Sequence, residues 1–250
     1  MNNAVIFLMP LAFVCEFIDS SLGMGYGTSL TPILLLMGYS PLEIVPAVLF
    51  SEFISGILSA CFHHEVRNVE FTRTSLATRV ALLLSVCSVI GTIVSVSLAI
   101  SLPARTLKIM IGAIVVTMGV VILLTFRRAP RFSWTRMSIL GAVASFNKGV
   151  SGGGYGPLVM GGQMLSGIGV KNAVAITSLA EGVTCCVGVV LYYFLNPGTD
   201  WFLAPWLMAG AALSVPVAAY TVKRIPEQGA KLVVALFLLI LGLLTLAKSL

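Results

Sequence analysis

Gly23-Met24-Gly25-Tyr26-Gly27 interrupts otherwise apolar sequence, and the pattern returns as Gly152-Gly153-Gly154-Tyr155-Gly156. Sliding the chain by 129 positions lays Leu36, Gly38, Val45 and Glu52 on Leu165, Gly167, Val174 and Glu181 without a gap. A glycine pentapeptide alone says little, but one that keeps register with a distant glutamate marks a duplication. Two related halves are therefore expected, 1–128 and 129–250.

Glycine costs about 1 kcal/mol inside a helix and exposes its backbone, so both runs should break helices. At membrane depth such backbone is tolerated only where protein buries it or where it lines a cavity. Paired breaks at corresponding positions of two halves point to a transporter's binding site.

The chain has 250 residues, 58% of them hydrophobic and 10% charged, too little polar surface to cover a soluble globule. Several segments reach the roughly 20 apolar residues that span a bilayer. Met1 to Ser21 lacks a basic start and a small-residue cleavage site, so it is expected to stay on the protein. The net charge of +6 sits in short loops between apolar runs, which argues for membrane topology and against a nucleic-acid partner. Cys15, Cys61, Cys87, Cys185 and Cys186 lie inside apolar segments without metal-ligand spacing and are expected as small core residues.

The expected fold is an all-α polytopic membrane protein. The first half carries a broken pair over 4–38 and spans over 43–62, 76–100 and 107–126. Residues 137–167 form the second broken pair, followed by spans over 172–194, 202–222 and 230–247. In the first pair, Thr31-Pro32 reads as a cap and first helical residue. In the second, Pro157 opens the short helix.

Basic residues orient the halves. If each broken pair enters and leaves on one face, about 11 lysines and arginines lie inside, including Arg127, Arg128, Arg131, Lys223 and Arg224, against about 3 outside. If each pair crossed once, the split would fall to about 8 against 6. The bias favours re-entrant pairs and an inverted repeat. Two full spans in place of each hairpin would give the same parity.

An inverted repeat brings both glycine runs to the midplane. There the backbone N–H groups at Gly27 to Ser29 and at Gly156 to Leu158 would point into one volume, with Gly23, Gly25, Tyr26, Gly27, Thr28, Gly152, Gly153, Gly154, Tyr155 and Gly156 as the expected substrate-binding residues. Two positive helix ends around one volume suit a small anion. Lys148 is the basic residue deepest in apolar sequence, and it needs a partner there. Either it offers its charge to the anion or it pairs with Glu16 or Asp19, the latter its symmetric counterpart. Glu52 and Glu181 read as proton carriers or as neutral donors bracing the broken backbone. Tyr26 and Tyr155 read as gating residues or as packed plugs. His63-His64 reads as an interfacial pair, with no metal site. No cofactor is expected. No nucleophile, base and orienting group converge, so no enzyme is expected either.

At the two glycine runs the chain resembles the TauE/SafE family of sulfite exporter-like permeases, over nearly its whole length. The resemblance implies a multi-pass protein of the bacterial cytoplasmic membrane that moves sulfite or an organosulfonate. Its expected partners are that anion and the bilayer, with a homodimer allowed. A secondary transporter working by alternating access, with proton coupling allowed, is the leading expectation, and an anion channel of the same architecture is its rival.

Overall fold

The computed structural model describes residues 3–125, 133–222 and 227–249. The basic residues Arg127, Arg128, Arg131, Lys223 and Arg224, and the turn residue Pro226, lie outside them. Ten helices and no strand occur among the described residues: α1 (Asn3–Leu22), α2 (Tyr26–Leu36), α3 (Pro41–Glu65), α4 (Leu76–Ser101), α5 (Ala104–Thr125), α6 (Trp134–Ser151), α7 (Tyr155–Leu165), α8 (Val170–Leu195), α9 (Ala204–Thr221) and α10 (Glu227–Ser249). By length and composition, α3, α4, α8 and the Ala104–Val121 part of α5 can each cross a membrane.

Backbone geometry explains the breaks. Gly23 (φ 70) and Gly25 (φ 134) end α1 and start α2, and Gly152 (φ 69) and Gly154 (φ 79) do the same between α6 and α7. A side chain resists these left-handed values, so the chain can turn here because the residues are glycine. Both short helices have 11 residues and so rise about 16 Å, half a hydrocarbon core.

The start of α2 differs from the expectation. Gly25, not Thr31, is its N-cap, and Thr31 and Pro32 lie inside the helix. The turn at Gly23 to Gly25 already supplies a helix start, so no side-chain cap is needed further on. In α7, Pro157 falls in the first turn, where its missing N–H has no intrahelical partner to lose. The entry to α3 follows its sequence signals: Pro41 opens the helix, and Ser40 forms a capping box in which its own N–H donates to Glu43 Oε2 at 2.8 Å.

The distribution of side chains is inverted relative to a soluble globule. Leu82, Val86, Ile90, Leu236, Ile240 and Leu243 are exposed, whereas Ser20, Ser55, Ser59, Ser88, Thr184 and Ser214 are buried. An apolar outside with hydroxyls inside matches lipid as the solvent.

Helices α3 and α8 pack against each other at the centre, where a Cβ on Gly56 would stand 2.7 Å from Ser178 O and 3.0 Å from the Cα of Gly182. Small residues thus let the two backbones approach closely. Around this pair, α1 packs on α9 and α4 on α6, while α3 meets α9 and α8 meets α4. The close pairs therefore exchange with one another when the first five helices are swapped for the last five.

Candidate functional site

The two glycine runs touch. A Cβ on Gly27 would overlap the carbonyl of Gly152, one on Gly153 would lie 2.5 Å from Thr28 N, and one on Gly156 would overlap Gly23 O. Backbone packs on backbone here, with no room for a methyl group. The amides at the crossing also have partners within the protein. Tyr26 N–H donates to Asp19 Oδ1 at 3.2 Å, Gly154 N–H to Thr28 Oγ1 at 3.1 Å, and Gly153 N–H to Ser151 Oγ at 3.1 Å. The carboxylate of Asp19 thus occupies the positive end of α2, where an external anion was expected.

Lys148, near the end of α6, is completely buried (0% exposed), and its partners are Glu52 (3%) of α3 and Glu181 (5%) of α8. Its Nζ donates to Glu181 Oε1 at 2.7 Å and forms an ion pair with Glu52 Oε2. One sequence expectation changes: the lysine pairs with neither Asp19 nor Glu16 but with the two matched glutamates. The α3–α8 crossing explains this, since it presents both carboxylates to the arm that ends in Lys148. The 129-residue offset lays Asp19 on Lys148 in sequence but does not make them ion-pair partners.

Asp19 and Glu16 join the same centre from α1. Carboxylate oxygens of Asp19, Glu52 and Glu181 all lie within 4.8 Å of one another. Glu16 accepts from Ser20 Oγ at 2.6 Å and from Ser55 Oγ at 3.1 Å. Ser20, Ser59 and Ser178 then form a hydroxyl ladder across α1, α3 and α8, with steps of 3.2 and 3.1 Å. These serines were not among the residues singled out from sequence. Helical spacing could have found Ser55 and Ser59, three and seven residues after Glu52, and Ser178, three before Glu181.

Tyr26 and Tyr155 are fully buried. The Tyr26 hydroxyl bonds Ser51 Oγ at 2.7 Å, and that of Tyr155 lies 3.5 Å from Ser88 Oγ. Both pack as plugs in this conformation. His63 is also buried, with Nε2 3.0 Å from Ser20 O and Nδ1 3.1 Å from Asn68 Nδ2, so it faces the interior and not the interface. Cys15 and Cys185 are core residues as expected, but Cys61 is exposed on α3 because its position there faces outward.

A helical bundle with an apolar exterior, paired breaks and a buried charged centre defines a multi-pass membrane protein. The profile of the family described as sulfite exporter TauE/SafE matches residues 8–245. The chain belongs to this family, and it is a membrane transporter. It is 24% identical to the probable membrane transporter protein YtnM of Bacillus subtilis (strain 168), in an alignment covering 100% of this chain and 84% of that protein. No solved structure matches the chain.

The crossing of the glycine runs makes a direct prediction. Gly27→Ala should lower thermal stability in detergent by about 1–3 kcal/mol or prevent recovery of folded protein, as overpacking does. Gly198→Ala should stay within about 0.5 kcal/mol of the parent, because nothing lies within 4 Å of a Cβ there.

Proposed function

We propose that the protein exports a small sulfur oxyanion, sulfite or an organosulfonate, across the bacterial cytoplasmic membrane by alternating access. The observation that carries this reading is the buried Lys148 ammonium beside two touching helix breaks. A lysine held by two glutamates is a cation whose partners can be exchanged. In the anion-free state Glu52 and Glu181 hold it. When the breaks separate, a divalent or monovalent oxyanion takes up the ammonium together with the Gly154 amide that Thr28 releases.

The two halves act as inverted repeats, each with a re-entrant broken pair and three spans. Support comes from the excess of basic residues assigned to one side and from helix packing that exchanges between halves. In this reading Gly23, Gly25, Gly27, Thr28, Gly152, Gly153, Gly154 and Gly156 shape the anion site once open, and Tyr26 and Tyr155 anchor the two short helices. The closed contact between the runs is the occluded state that alternating access requires. Family membership supports an oxyanion of sulfur as the cargo, because the family is described as a sulfite exporter.

Proteoliposomes loaded with sulfite should take up labelled sulfite by saturable counterflow. Lys148→Arg should lower apparent affinity about tenfold or more while keeping the charge, since a guanidinium fork does not replace a compact ammonium. Flux that stays linear in concentration and drives no counterflow would identify a channel instead. Unchanged affinity in both Lys148→Ala and Lys148→Arg would remove this residue from the anion site. Cysteines placed in the Arg127 and Lys223 connections should react with impermeant reagent from the same side. Opposite sides would end the inverted-repeat reading.

A further inference from the structure

Among the described residues the charged centre contains more carboxyl groups than Lys148 pairs with. Glu52 and Glu181 hold the one ammonium, and Glu16, Asp19, Glu52 and Glu181 together line a cavity of about 10 Å3, room for a single water-sized particle. Two atoms there lack any partner: Glu52 Oε1 and Glu181 Oε2 are buried without a hydrogen bond, on side chains that line the cavity. A buried carboxylate oxygen facing a void is costly unless something positive fills it.

We infer that this cavity between α1, α3 and α8 binds a monovalent metal cation, Na+, which is the coupling ion of transport. Three oxygens no more than 4.8 Å apart enclose a point about 2.8 Å or less from each, a small inward rotation from the roughly 2.3–2.6 Å of a hard cation bonded to oxygen. Ser55 and Ser178 also line the cavity and add neutral hydroxyl oxygens. The geometry disfavours the divalent ions. Mg2+ keeps several of its waters and Ca2+ takes about six to eight oxygens, whereas this cavity holds one particle among about five.

The same geometry gives the ion a role. Glu52 and Glu181 each hold Lys148 with one oxygen and keep the other without a hydrogen-bond partner, on side chains that line the cavity. A cation in the cavity draws on the same two carboxylates, loosens their hold on the ammonium and makes it available to an anion. Cation and anion binding then strengthen each other by the same factor. The coupling role rests on the transporter reading above; the cation site itself does not.

The test uses the full-length purified protein, with 22Na+ binding and thermal stability measured at fixed pH and ionic strength, choline or K+ replacing Na+, and no sulfite present. The expected result is saturable 22Na+ binding of one ion per chain, with stabilisation by Na+ that K+ and choline do not reproduce. Asp19→Asn and Glu181→Gln, each confirmed as folded by gel filtration, should weaken Na+ binding about tenfold or more. Absence of saturable binding by the parent protein overturns the proposal, as does parent-like affinity in both variants. Stabilisation that follows pH and ignores Na+ also overturns it and assigns the cluster to protons. Because no sulfite enters the assay, failure here and failure of sulfite counterflow remain separate results.

Discussion

Everything at the centre of this protein depends on one ammonium group removed from water. An unpaired lysine in hydrocarbon is costly, and even a paired one recovers its desolvation only if its partners are close and well oriented. Lys148 meets that condition because α3 and α8 cross at Gly56 and Gly182, closely enough for Glu52 and Glu181 to converge on it. The ion triad ties α6 to the two central helices. It therefore joins elements from both halves of the chain.

The second constraint is steric. Backbone can approach backbone at Gly27, Gly153 and Gly156 only because none of them carries a Cβ. This contact places two half-length helices tip to tip and leaves their amides bonded to Asp19, Thr28 and Ser151. Of these three bonds, only the one from Gly154 N–H to Thr28 Oγ1 crosses between the runs; the other two are made within a single half. The charged centre and the backbone junction meet in α6, which carries Lys148 and ends at Gly152.

Much of this was legible in the sequence, and for a physical reason. Left-handed conformations cost other residues about 1–2 kcal/mol, so Gly23, Gly25, Gly152 and Gly154 mark the helix breaks openly. The all-helical membrane class follows from apolar length. Less legible was who pairs with whom. Lys148 aligns with Asp19 under the duplication, but its neighbours are decided by where α6 ends against the α3–α8 crossing, which no one-dimensional register encodes. That the amide pocket is closed in this conformation was hidden for a similar reason: whether two helix ends enclose a volume or pack against each other depends on ångström-scale approach. The serines around the glutamates carried a readable helical spacing, although single hydroxyls in apolar helices are common and draw little notice.

Equilibrium unfolding of Lys148→Met, alone and combined with Glu52→Gln and Glu181→Gln, tests the central interaction most directly. The account predicts that the single change costs about 3–5 kcal/mol, by leaving two buried carboxylates without their cation, and that the triple change recovers most of that loss. If Lys148→Met is as stable as the parent, or if the triple variant is no more stable than the single one, Lys148 is not held by this pair and the charged centre described here is wrong.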